Sequence, residues 1–191
     1  MKNYNRYIII LIISFFVLEC SDDFVDIPPK YSIDSENYFN IPEDYEQAVI
    51  AAYDLLQTTY LNSMLGEIAS DNTLCGGESA TDVPGFQQID DMIHTPVNDN
   101  LQDLWNWMFA GVQRAAYVIE FKDNIDFDGK DALVAEAYFL RAYYNFELVK
   151  WFGPIPIKAA GRFGVGDEQR LPRSPISEVY ELIEEDLLAA I

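Results

Sequence analysis

The chain has 191 residues, half of them hydrophobic and 14% aromatic, which excludes wholesale disorder and permits a real core. Twelve Lys and Arg stand against 32 Asp and Glu, a formal charge of −20. A field of that sign repels phosphate backbones and anionic lipid, so neither nucleic acid nor a charged membrane surface is a fitting partner.

The chain opens with Lys2, Arg6 and an apolar run from Tyr7 to Leu18, then breaks into Glu19-Cys20-Ser21-Asp22-Asp23. A basic start, an apolar core of roughly 7–15 residues and a polar break describe an export signal, assigned to residues 1–19. Crossing a bilayer takes about 20 apolar residues, more than this run supplies. Val17-Leu18-Glu19-Cys20 resembles a bacterial lipobox, in which the signal is cut before Cys and the thiol is acylated. Glu19 departs from the small residue such boxes carry. The alternatives are a lipid anchor at Cys20, an ordinary secretory signal with an incidental cysteine, and a retained anchor. Two or three acyl chains hold a protein on a membrane without spanning it. If Cys20 is acylated, Cys75 has no disulfide partner.

Residues 20–41 read as a tether with Tyr31, Tyr38 and Phe39 as local anchors, and residues 42–191 as a helical domain. The first helix is expected near Asn40, with Asn40 as cap, Pro42 in the first turn and Glu43 reaching back. Its stripe is Tyr45, Val49, Ala52, Leu56 and Thr59. A short helix over 62–70 follows. Residues 71–98 lose periodicity and gather Gly, Pro, Asp and Ser; irregular loops longer than about 12–15 residues are usually functional or disordered.

A second long helix is expected over 99–122, with Leu101, Leu104, Trp105, Met108, Val112, Ala115 and Ile119 on one face. Gly111 and its alanine neighbours permit close approach of another helix. A third, over 130–151, carries two stripes about 200° apart. Leu133, Ala137, Leu140, Tyr144 and Leu148 form one, and Ala135, Phe139, Ala142, Phe146 and Val149 the other. Apolar stripes on opposite faces place this helix between neighbours. Gly153-Pro154 stops it, Ile155-Pro156-Ile157 reads as extended, and 161–173 as loop. The last helix takes Ser174 as cap and Pro175 as first residue, with Ile176, Val179, Tyr180, Ile183, Leu187 and Ile191 apolar. Its unmatched face and missing C-terminal cap suggest the N-terminal part of a longer protein.

Helix pairs apolar on both faces suggest an all-α, tetratricopeptide-like stack with one long irregular loop, although no 34-residue period is present. The segment Ala135-Glu-Ala-Tyr-Phe-Leu-Arg-Ala-Tyr-Tyr-Asn-Phe-Glu-Leu-Val-Lys-Trp-Phe-Gly-Pro-Ile-Pro156 closely resembles the signature helix of the SusD/RagB family. The start Cys20-Ser-Asp-Asp-Phe-Val-Asp-Ile-Pro-Pro29 is similar to that family's mature start, and its acidic pair resembles the surface-export signal of Bacteroidota lipoproteins. Residues 43–56, Trp105 with Gly111, Arg114 and Ala115, and 172–187 resemble further family segments in the family's order. The length falls well short of it.

The resemblance implies a truncated SusD-like fold and capture rather than catalysis. Such proteins hold an oligosaccharide, or in some cases a peptide, over a SusC-like TonB-dependent outer-membrane transporter, with no cofactor. It also implies a lipid-anchored, surface-exposed location on the outer membrane. The net charge suits neutral or cationic ligands. Candidate contacts are Asp71, Asn72 and Phe86 in the 71–98 loop, since loops on rigid scaffolds carry binding sites. Against them stands a plain turn, which Asp and Asn favour. Trp105 reads as core, Trp151 as packing, and Trp107, about 200° from Trp105, as the exposed sugar platform. Asp90-Asp91 raises a glycosidase, which needs two oriented carboxyl groups. His94 has no second His for a metal or a catalytic dyad, and Cys75 no cationic neighbour to activate it. No enzyme emerges. The competing class is an extracytoplasmic helical-repeat scaffold that binds other proteins.

Overall fold

A computed structural model describes residues 38–79, 81–167 and 170–191. The export signal, Cys20 and most of the tether lie outside the described residues. Pro42 sets the start of α1 (Pro42–Asp54), but Ile41, not Asn40, is the capping position. The third helical residue is therefore Asp44, and its carboxylate, rather than that of Glu43, accepts from the Asn40 and Ile41 N–H groups at 3.0 and 3.2 Å. Tyr45, Val49 and Ala52 are buried as expected, joined by Ala48. The stripe then breaks, because Leu55–Thr58 tightens into a 3₁₀ turn in which the Thr58 hydroxyl donates to Leu55 O at 2.6 Å. Helix α2 (Thr59–Ile68) follows.

The 71–98 segment is not wholly irregular. It contains a seven-residue helix, α3 (Pro84–Asp90), with Pro84 at its start and Val83 before it at φ 39°. A β-branched residue in the left-handed region is strained, and Met92, at φ 55°, stands just beyond the other end. Side chains tie the segment to itself. Asp90 accepts from the Cys75 N–H at 2.9 Å and Asp82 from the Glu78 N–H at 3.1 Å.

Helix α4 (Asp99–Glu120) is capped by Asn98, whose Oδ1 accepts from the Asn100 and Leu101 N–H groups. The same buried side chain donates through Nδ2 to Gly85 O and Gln88 Oε1, fixing α3 to the start of α4. Helix α5 (Lys130–Phe152) packs along α4 and also meets α1. At Gly111 an added Cβ would lie 2.6 Å from the Tyr144 ring, so only glycine allows that approach. The Tyr144 hydroxyl donates to Ala52 O at 2.7 Å and burial raises its pKa, while Arg114 donates to Ala51 O at 2.6 Å. At the other end Phe39 is fully buried, stacked on Phe121 and edge-on to Tyr45 and Tyr117.

Gly153, at φ 64°, ends α5. Among the described residues, β pairing is confined to an antiparallel bridge between Ile155 and Ser174. Ser174 is not a helix cap: its N–H donates to Ile155 O, Pro175 occupies the capping position, and α6 runs Ile176–Ala189. Helix α6 lies on the second face of α5, where Ala142 and Val149 are buried. Between the helices Arg141 grips Asp186 through two bonds of 2.8 and 2.6 Å, both side chains 3% exposed, and donates to Ala159 O. The sandwich expected for α5 is incomplete. Helix α6 has 14 residues against 23 in α5, and Phe139 and Phe146 remain 51% and 39% exposed. No helix among the described residues is long and apolar enough to cross a membrane.

Candidate functional site

Two clefts meet at Trp105 and Asn106 on α4. The larger, about 800 Å³, lies between the first half of α4, the chain after α3 and the end of α5. Trp105 forms its central wall, held at 4.6 Å from Phe109 and edge-on to Phe152 at 5.0 Å. Trp151 forms another wall. Its indole N–H donates to Asn62 Oδ1, and Asn62 in turn donates to the buried Glu147, which Lys150 pairs at 2.7 Å. That chain of bonds orients the ring and leaves its carbon surface for the cleft. Gln102 and Asn106, one helical turn apart, add exposed amides; His94 and Arg173 complete the polar rim. The Arg173 guanidinium stands 5.9 Å from the Trp105 ring centre.

The smaller cleft, about 380 Å³, continues past Trp105 to Phe109, Phe163 and Asp167. Its outer wall is the loop after α5, zipped onto α4 by both ends of one amide. Gln113 donates to Phe163 O and accepts from the Phe163 N–H, each at 2.8 Å. Arg162 adds an ion pair to Glu120 at 3.1 Å and lies 4.4 Å from the Tyr117 ring centre. The Gly164 N–H and the Lys158 ammonium hold the Asp167 carboxyl below its usual range. Aromatic faces with a few fixed polar groups are what a ligand cleft of this size ordinarily carries.

None of the four residues singled out in the sequence lines either cleft. Asp71 and Asn72 lie in an exposed turn after α2, where the Asn72 N–H donates to Ser70 Oγ at 3.2 Å. Phe86 is half-buried against the core rather than presented as an open ring. Trp107 is 37% exposed but lines neither cleft, whereas Trp105, read as core, is half-buried and lines both. Trp105 was missed because a residue on the edge of an apolar stripe can be packed on one side and open on the other. His94 reaches the larger cleft without a second histidine. Of the Asp90-Asp91 pair, Asp90 is engaged by the Cys75 N–H and Asp91 is exposed. Burial and the nearby Asp90, Asp82 and Asp91 push the Cys75 thiol up, away from reactivity. Among the described residues no three His, Cys, Asp or Glu gather as a metal site.

Residues 23–191 match a SusD-like family model described as "Starch-binding associating with outer membrane". The SusD-like protein P38 of Formosa agariphila is 28% identical over 191 residues, 98% of this chain and 37% of that protein. Surface glycan-binding protein A from Bacteroides uniformis superposes with a TM-score of 0.67 at 25% identity, over 78% of this chain and 34% of its own. A laminarin-binding SusD-like protein gives 0.69 at 25% identity, over 80% and 34%. The chain thus spans about a third of the length of these relatives. With the helices and the family model in agreement over nearly the whole sequence, the chain belongs to the SusD-like family.

Proposed function

We propose that the chain is part of a surface lipoprotein, acylated at Cys20 on the outer membrane, that captures an oligosaccharide and passes it unaltered to a TonB-dependent transporter. The observation that carries this reading is the cleft around Trp105, where aromatic faces and exposed amides share one concave wall. A pyranose ring offers CH groups to an aromatic face and hydroxyls to amides, and two of the structural relatives are named for glycan or laminarin binding. Catalysis plays no part: capture and release need only reversible contacts.

Isothermal titration of the chain with laminari- and malto-oligosaccharides, backed by a glycan array, is the test. Saturable binding that falls roughly tenfold when Gln102 and Asn106 are both changed to Ala supports it. Silence across the array overturns it. The anchor is tested by acyl labelling in cells: Cys20→Ala is expected to remain unprocessed and unlabelled, and normal membrane retention of that variant refutes the anchor.

The scaffold reading draws on a different feature, the apolar groove of about 380 Å³ between α5 and α6. Silence on the array together with tight capture of a partner protein, lost on Phe146→Ser, favours it.

A further inference from the structure

The larger cleft runs against the charge of the chain. The sequence carries 32 acidic residues against 12 basic ones, yet no Asp or Glu is among the described residues lining this cleft, while Arg173 and His94 are. Seven other basic side chains each pair with a carboxylate. No carboxylate among the described residues pairs with Arg173, which is exposed at the rim. Its charge rests instead 5.9 Å from the Trp105 ring centre, a contact that uses none of its N–H donors.

A guanidinium fork matches a carboxylate, and contacts made through it are about twice as strong as neutral hydrogen bonds. Asp90, Asp91 and Asp103 neighbour lining residues in sequence and Asp167 lines the adjoining cleft, but none of them lines this one. At physiological salt the Debye length is about 8 Å, so exposed charges farther away are largely screened while a contact pair is not. Sugar hydroxyls alone would be served by Gln102 and Asn106; a cation held beside the aromatic wall has a different complement. We infer that the larger cleft takes an acidic oligosaccharide, one sugar ring against Trp105 and its carboxylate on Arg173. This rests on the glycan-capture reading and reverses, at the site, the preference for neutral or cationic ligands expected from net charge.

Titration of the chain with oligogalacturonate and with a glucuronate-bearing xylan fragment, each beside its carboxyl-reduced neutral form, tests it. The acidic form of at least one pair is expected to bind roughly tenfold tighter or more. Arg173→Gln should erase that preference, bringing the acidic form down to the affinity of its neutral counterpart; Arg173→Lys should restore part of it, since an ammonium carries charge without the fork. Arg173 is exposed in a loop, and an unchanged circular dichroism spectrum shows that the variants fold. Equal binding of acidic and neutral forms, or a preference that survives Arg173→Gln, overturns the inference and leaves glycan capture standing. No binding by any saccharide overturns glycan capture itself.

Discussion

On one face of α5, Ala137, Leu140, Tyr144 and Leu148 are fully buried, whereas on the opposite face Phe139 and Phe146 are 51% and 39% exposed around Ala142 and Val149. Both stripes are equally apolar in the sequence. The first meets two helices, α1 and α4, and the second meets one, α6, of 14 residues. Apolar periodicity therefore marks where burial is available, and how much of the face its neighbours together cover decides how much of it is realised. The uncovered part is a groove lined by Phe139, Tyr143, Phe146, Tyr180 and Leu187.

The contrast can be broken most sharply at the buried ion pair between α5 and α6. Asp186→Ala leaves Arg141 charged and buried, and removing one partner of a buried pair costs about 3–5 kcal/mol. Urea unfolding followed by circular dichroism checks this; a loss under about 1 kcal/mol would mean that α6 is held by its apolar contacts alone. Next come the faces themselves. Leu140→Ala should cost about 2–5 kcal/mol, and Phe139→Ala, one residue earlier in the same helix but half in water, under about 1 kcal/mol. Equal losses at the two positions would contradict the asymmetry. Gly111→Ala probes the close approach of α4 and α5. Its methyl would press on the Tyr144 ring, an overpacking cost of about 1–3 kcal/mol that exceeds the roughly 1 kcal/mol gained from helix propensity. A stabilised variant would show that α4 and α5 can separate there without penalty.

The long helices were legible because α4 and α5 each run more than 20 residues with unbroken stripes, and close approach at Gly111 was readable from residue size. Helix α3 was not. It has seven residues, too few for periodicity, and it is bounded by Val83 and Met92 in a backbone conformation their side chains disfavour. Nor was the Arg141–Asp186 pair, whose partners are 45 positions apart with no local pattern to join them. The cleft was hidden for the same reason: His94, Trp105, Trp151 and Arg173 come from four segments, and only the fold makes them neighbours. Asn98 is the exception that could have been found, since an Asn directly before an amphipathic run is a standard helix-start signal.

The smallest effect concerns the loop that walls the smaller cleft. Asp167 accepts from the Gly164 N–H at 2.7 Å and pairs with Lys158 at 3.0 Å, and both contacts favour its ionised form. A carboxyl lowered from 3.8 in the folded chain contributes stability that is present above that value and lost as pH falls through the depressed one. The contribution is modest, because surface pairs are screened and solvated. The loop should therefore keep its order from neutral pH down to about 4 and loosen only below it, read as faster amide exchange at Gly164 and Leu171. Asp167→Asn should show that faster exchange already at neutral pH while α4 and α5 stay protected. Loosening that begins near pH 6 would point away from Asp167 as its cause.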